Sequence, residues 1–467
     1  MKPRTREFFF KAGHAMSANV ISLVVSVVTT LLVPKALGVE EFGHFQLYIF
    51  YSSYVGLLHL GWNDGILLRY GGTRYQDLDR EILFSQFWML VLQQLLVAAA
   101  VVLVSGMLSA DNDVLFVFRA IALCTLLTCP QYMLIIVLQA SARIKEYAQI
   151  VVVQRVAYVA LVVLTLVLGQ SSYQPLVEAD LVSRFGGLLL AAFLCRDVVF
   201  QSLAKFRFAF EEASISIRAG APLMLGGVAG LLVVGVVRLG IAGGWDVATF
   251  GMVSLSLSLA NMALTTIVSA GTVAFPLLRR LPRERLPGIY HHGRQLLTAI
   301  SLAMLLLYYP FRLFIASWLP DYLESATYLG LLFPVFVYEA RNALLLETYL
   351  KVLRMERVIL KVNVLALLLS VFVTVLTTSV LSNLDLAVLS IPLVAAVRCV
   401  ALEWALSEPL GVRHVNELIF EAALVLLFVI TASYCTQPVA VAAYLFAFGG
   451  YLVLHRRQIG SAVSYLT

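Results

Sequence analysis

The sequence is short of charge. Lysine, arginine, aspartate and glutamate make up 13% of its 467 residues, against 61% hydrophobic residues. Soluble domains carry about twice that charge, so a water-soluble globular fold is excluded. Strict alternation of apolar and polar residues is also missing. Barrel strands alternate every second residue, whereas the apolar runs here are continuous for about 20 residues, so membrane-spanning helices are expected instead. Cysteine is scarce: Cys124, Cys129, Cys195, Cys399 and Cys435 all fall within or at the ends of apolar runs and lack metal-ligand spacing. They read as buried thiols rather than disulfides. The seven histidines form no constellation. His14 and His59 stand alone in apolar segments and the others lie in or near connections. No catalytic, metal or cofactor site is expected, and a membrane-embedded enzyme acting on lipids or glycans is the weakest of the readings considered.

Long polar loops are lacking on one side of the chain. Apolar windows predict fourteen spans, near 13–34, 44–69, 83–106, 115–139, 147–168, 176–195, 219–242, 249–276, 294–317, 326–349, 358–381, 384–406, 418–435 and 439–456. When alternate connections are assigned to one side, that side receives 26 of the 33 basic residues, and the other receives only Lys35. Arg294 and Arg398 are counted among the 26 as connection residues. The positive-inside rule then makes both termini cytoplasmic. The start, "MKPRTREFFFK", is basic like a signal peptide, but its apolar core runs on too far, and a retained first span is expected. The outer connections ("GMLSADND", "GQSSYQP", "AGGWDVA", "SWLPDYLES", "TQPVA") are too short for an outer domain. That argues against glycan polymerases and ligases. Function must lie among the helices.

The spans repeat. Phe42-Gly43 aligns with Phe250-Gly251 at an offset of 208, and "ARIKEY" (142–147) meets "LRMERV" (353–358) at 211. The expected architecture is all-α: a six-helix lobe over 1–210, a second over 211–412, and two further helices in 413–467, related by a parallel repeat. Polar residues recur at helical spacing in span 8 (Ser254, Ser258, Asn261, Thr265, Ser269, Thr272) and span 1 (Asn19, Ser22, Ser26, Thr29). These stripes are expected to border an aqueous cavity between lobes, the alternative being close helix packing.

Charges inside the spans are the strongest functional signal. Each costs about 2.5–3.5 kcal/mol at a helix centre. Arg119, Arg155, Arg184, Arg238, Arg312 and Arg341 belong to spans, and Asp64 and Glu339 are acids in the same setting. The inventory reads as arginine-rich, which suits phosphate because guanidinium binds its oxygens bidentately. Arg155, Arg184, Arg238 and Arg341 are the cationic substrate candidates, and Asp64 and Glu339 the ion-coupling candidates. In "LGWNDGILLRYGG" (60–72), Asp64 falls on the span 2 equivalent of the span 8 stripe. Why this stretch should also hold Gly61 and Gly65 four residues apart is left open by the sequence.

The stretch "LVPKALGVEEFGHFQLYIFYSSYVGLLHLGWNDGILLRYGG" resembles the first hairpin of the Wzx-type polysaccharide flippases of the multidrug/oligosaccharidyl-lipid/polysaccharide exporter superfamily. The resemblance rests on Leu37-Gly38, Glu40-Glu41-Phe42-Gly43, Leu60-Gly61 and Arg69, with Phe250-Gly251 and Pro276-Leu-Leu-Arg279 as second-lobe counterparts. It implies a flippase of the bacterial inner membrane. Such a protein carries undecaprenyl-diphosphate-linked oligosaccharide, for O-antigen (lipopolysaccharide) or exopolysaccharide export, to the outer leaflet by alternating access. The partners it implies are this glycolipid, membrane lipids and the glycan polymerase and export machinery. No nucleic acid is expected, and a monomer is. The rival reading is a cation-coupled multidrug exporter of the same superfamily.

Overall fold

A computed structural model of the protein describes residues 25–271, 282–412 and 415–466. The described residues are helical, with no strand among them. In chain order the main helices are α1 (Val25–Ala36), α2 (Val39–Ser52), α3 (Trp62–Tyr70), α4 (Arg80–Leu108), α5 (Asn112–Ala140), α6 (Ile144–Val167), α7 (Gln174–Leu194), α8 (Phe210–Gly244) and α9 (Val247–Gly271). They are followed by α10 (Leu286–Trp318), α11 (Ser325–Val352), α12 (Glu356–Val380), α13 (Leu384–Leu410), α14 (Val415–Tyr434) and α15 (Gln437–Leu466).

Every predicted span has helix within it, and among the described residues ten helices are long and apolar enough to cross a membrane. The remaining windows differ for definable reasons. Only α1 of span 1 is described; α9 is apolar over Val247–Met262; α7 carries Glu178, Asp180 and Arg184; and span 2 is broken into α2 and α3. Caps set several boundaries. Asp79 accepts from the Glu81 and Ile82 amides at 3.1 and 3.0 Å to start α4, and Asn383 accepts from Leu386 N at 3.0 Å to start α13. The five cysteines are free, four of them buried.

The chain divides into two compact units, Met1–Val228 and Ala229–Thr467, with the division inside α8. In the first unit α5 is the central helix, packed by α2, α3, α4, α6 and α7. In the second unit α11 holds the central place, packed by α9, α10, α12, α13 and α14. The same exit follows each central helix. Ala142 and Arg354, 212 residues apart, are both left-handed with φ 59°. After them Arg143 N donates to Leu138 O, and Met355 N to Leu350 O, each at 2.8 Å. This is the six-to-one bond of a Schellman cap. A non-glycine residue pays for that conformation, and it recurs within the paired "ARIKEY" and "LRMERV" segments, one residue out of step with their offset of 211.

Within the second unit, α15 packs along the first half of α10, and α14 against α11 and α15. The two C-terminal helices are thus integral to that unit.

Candidate functional site

The first candidate site is the break in span 2. Residues 53–61 leave the α-helix through a short 3-10 turn, and Leu60 and Gly61 both turn left-handed, with φ 56° and 80°. Backbone groups released inside a membrane must find partners. Gln93 and Gln94 from α4 both donate to Leu58 O, at 2.9 and 3.2 Å. Asn63 Nδ2 donates to Cys129 O of α5 at 3.1 Å, and Trp62 Nε1 to Gln86 Oε1 at 2.9 Å.

Gly61 and Gly65 are needed for contact. A Cβ on Gly65 would stand 1.8 Å from Ser216 O, and one on Gly61 2.6 Å from Ala221 N. From the other side, a Cβ on Gly220 would lie 2.0 Å from Gly61 O. The α3 backbone therefore lies directly on the first half of α8. Arg69, at the end of α3, fastens the crossing by bonding the Glu212 carboxylate and donating to Ser216 Oγ at 2.9 Å.

Asp64 sits in the first turn of α3, partly exposed. His59 Nε2 lies 3.8 Å from its Oδ2. His59 Nδ1 accepts from Gly61 N at 3.1 Å, which fixes the neutral ring proton on Nε2, facing the carboxylate. Tyr132, half-exposed on α5, stacks against His59 at 6.0 Å. Among the described residues no arginine or lysine pairs with Asp64.

Elsewhere in this unit, Arg184 donates to Asp180 Oδ2 at 2.6 Å and to Thr128 Oγ1 at 3.0 Å, and Tyr48 donates to the same Asp180 oxygen at 2.6 Å. Arg155 is exposed on α6. The α1 stripe members Ser26 and Thr29 are half-buried, with the Thr29 hydroxyl turned back to Val25 O at 2.9 Å; Asn19 and Ser22 lie outside the described residues.

The second unit holds an ionic network. Buried Arg294 bonds Glu403 of α13 and Glu417 of α14, and buried Arg341 bonds both oxygens of Glu421 of α14, one of them at 2.7 Å from Nη2. Arg341 Nη1 also lies 3.9 Å from Glu403 Oε2, and its Nε donates to Cys399 Sγ at 3.0 Å. A neighbouring group centres on Arg398. Its Nη1 donates to both Glu339 oxygens at 3.1 and 3.2 Å, its Nη2 to Glu347 at 2.8 Å and its Nε to Asn363 at 2.9 Å. Glu347 also pairs with Lys351 at 3.0 Å. Right after Glu339 and Arg341, the helix widens into a π-turn over Asn342–Leu346, a feature common at functional sites.

Two sequence expectations need correction. Arg294 and Arg398 are not connection residues; both are buried inside helices and paired. The charge buried or part-buried in this unit is also not arginine-rich: Arg238, Arg294, Arg312, Arg341 and Arg398 stand beside five carboxylates, Glu339, Glu347, Glu403, Glu417 and Glu421. Glu403, Glu417 and Glu421 were missed. The usable signal was Glu417 and Glu421 four apart on one helix face, and likewise Asp180 and Arg184.

Of the span 8 stripe, Ser254 is buried and accepts from Arg238 Nη2 at 2.9 Å, Ser258 bonds back to Ser254 O at 2.8 Å, and Asn261 is exposed. Arg238 also lies over the Phe250 ring at 5.2 Å. Thr265 and Ser269 belong to α9; Thr272 and the Pro276–Arg279 motif fall outside the described residues. Glu339 is thus tied to Arg398, and of the four arginine candidates Arg184 and Arg341 are tied to carboxylates.

The structural comparison decides the fold. An inward-facing multidrug resistance MATE family transporter of the MOP superfamily aligns with a TM-score of 0.61 and 14% identity, covering 85% of this chain and 98% of that one.

The chain has the MOP transporter fold.

The lipid II flippase MurJ, in an inward closed conformation, aligns with the same TM-score of 0.61 and 9% identity, covering 96% of this chain and 98% of that one. A MOP transporter from Pyrococcus furiosus, described as having a binding pocket of reverse polarity, aligns at 0.50 with 14% identity over 86% of this chain and 95% of that one. No family model matches the sequence, and neither does any curated protein. The similarity is therefore one of fold: a multi-pass membrane protein related in architecture to transporters and flippases.

Proposed function

We propose that the protein is a lipid-linked oligosaccharide flippase, moving an undecaprenyl-diphosphate glycan between leaflets of the bacterial inner membrane by alternating access. The observation that carries this reading is the C-terminal helix pair. Glu417 and Glu421 of α14 are held by Arg294 and Arg341, so the pair is built into the second unit. The lipid II flippase overlaps 96% of the chain, against 85% for the multidrug transporter. Exposed Arg155 is the candidate we assign to the diphosphate, because its guanidinium is not committed to a carboxylate among the described residues. The Glu339 carboxylate and Asp64 are the places we assign to a coupling proton or cation.

A second reading, export of organic cations, is favoured by one observation. Asp64, with no guanidinium partner among the described residues, stands with His59 beside the half-exposed Tyr132 ring, and an acid next to an aromatic face suits a cationic ligand.

Ligand-dependent thermal stability of the purified full chain separates the two readings. The flippase reading predicts stabilisation by undecaprenyl-diphosphate glycan that is lost in Arg155→Gln and kept in Asp64→Asn. Stabilisation by a lipophilic cation alone, lost in Asp64→Asn, would replace it with the export reading.

A further inference from the structure

The connection between α7 and α8 is pinned to α4 and exposes more apolar surface than a solvated loop should. It reads "FQSLAKFRFAF" over 200–210, and Phe200, Leu203, Phe208 and Phe210 are 69%, 83%, 62% and 67% exposed. A loose loop would need no explanation, but this segment is fixed to α4 along its length. Gln201 Nε2 donates to Arg80 O at 3.0 Å, Lys205 pairs with Glu81 at 2.8 Å, and Arg207 N donates to Ser85 Oγ at 3.2 Å. The Phe206 ring meets Phe84 at 6.5 Å, and Trp88 Nε1 donates to Val199 O at 3.2 Å.

Residues 206–209 have no helical structure, and Phe206 is extended with φ −66° and ψ 128°. In extended chain successive side chains point to opposite sides. Arg207 therefore points away from Phe206 and Phe208, while Lys205 closes the 3-10 turn before them and Phe210 opens α8. The rings form one surface, with Phe208 and Phe210 stacked at 5.5 Å and 5° and Phe206 edge-on to Phe208 at 5.1 Å. Exposed rings with an exposed cation between them, in a connection that leads into the membrane-capable α8, match the boundary between acyl chains and phosphates. A water-facing strap has no use for four exposed apolar side chains on a fixed backbone.

We propose that residues 200–210 form a docking strap for anionic phospholipid, with the Phe208 and Phe210 rings seated at the acyl boundary and Arg207 on the phosphate. Lys205 is partly committed to Glu81, so Arg207 is the main phosphate contact. Of the flanking exposed charges, Asp77, Asp79 and Glu211 equal Arg74, Arg196 and Arg218 in number and Glu81 is taken by Lys205, which leaves Arg207 to select lipid charge. Docking there would fix the height of the α7–α8 connection relative to the bilayer.

The test uses the full chain in nanodiscs of phosphatidylcholine, with or without phosphatidylglycerol, and follows hydrogen exchange of the 200–209 amides. Protection several-fold greater with phosphatidylglycerol is expected. It should be lost in Arg207→Gln, whose side chain has no structural partner among the described residues, and Phe208→Ser/Phe210→Ser should lose protection in both lipids. Unchanged exchange in α5 serves as the folding control. Equal protection in both lipids, insensitive to Arg207→Gln, would overturn the proposal. Protection in detergent that grows with protein concentration would overturn it too, assigning the surface to a second copy of the chain.

Discussion

Gly65→Ala is the sharpest perturbation of the span 2 break. The added methyl would sit 1.8 Å from Ser216 O, and that atom belongs to the backbone of α8 rather than to a side chain that can rotate away. To reach about 3 Å, α3 and α8 must separate by more than 1 Å, when even one extra methylene in a tight core costs about 1–3 kcal/mol. The same separation pulls Arg69 from Ser216 and Glu212 one turn further on, and charge-assisted bonds of that kind contribute about 1.5–3 kcal/mol each. The two losses share one displacement and do not add fully, so about 3 kcal/mol is expected. Thermal unfolding of the purified protein in detergent, followed by helical circular dichroism, reads this as a drop of several degrees. Gly56→Ala lies in the same broken segment but meets nothing within 4 Å, so it should shift the midpoint little. If Gly65→Ala unfolds where Gly56→Ala does, the direct α3–α8 backbone contact is wrong.

The network around Arg341 predicts non-additivity. Arg341→Met alone leaves Glu421 buried without its cation and should cost about 3–5 kcal/mol, while the Arg341→Met/Glu421→Leu double variant should recover much of it in the same unfolding assay. At the start of α9, Asp246 Oδ1 accepts from Thr249 N at 2.8 Å, and the Thr249 bonds hold its carboxyl below the usual aspartate range. A lowered folded pKa contributes stability that is complete above the unfolded value near 3.8 and is lost as pH falls through the folded value below it. Acid titration of the unfolding midpoint should therefore be flatter in Asp246→Asn. Removing the cap in Asp246→Ala should cost about 1 kcal/mol at neutral pH. Asp64→Asn should leave the unfolding midpoint within about 0.5 kcal/mol of the parent while abolishing any pH-gradient dependence of transport in proteoliposomes. A gradient response that survives Asp64→Asn would remove Asp64 from the coupling step.

The helical membrane fold was legible because hydrophobic length and the bias of Lys and Arg are local, additive signals. The windows 83–106 and 115–139 could be read with no knowledge of their neighbours. What escaped depends on partners far apart in sequence. "YSSYVGLLHLGW" is as apolar as an unbroken helix, and its break is sustained by Gln93, Gln94 and the α8 backbone around Ser216 and Ala221. Arg294 and Arg398 lie near predicted inner ends, where a charge count assigns them to water. Only Glu403, Glu417, Glu339 and Glu347, reached by long-range packing, explain why they are buried. Asp64 could be singled out from its place on the stripe, but its link to His59 follows from the left-handed turn at Leu60–Gly61, which composition does not report.

The central claim, translocation of a lipid-linked glycan, is tested most directly in cells depleted of this protein with the glycan pathway intact. The sidedness of the lipid-linked oligosaccharide is read with a membrane-impermeant glycan probe on intact and opened spheroplasts. The account predicts accumulation that the probe reaches only after opening, reversed by the parent gene but not by Arg155→Gln. Unchanged sidedness on depletion would contradict it.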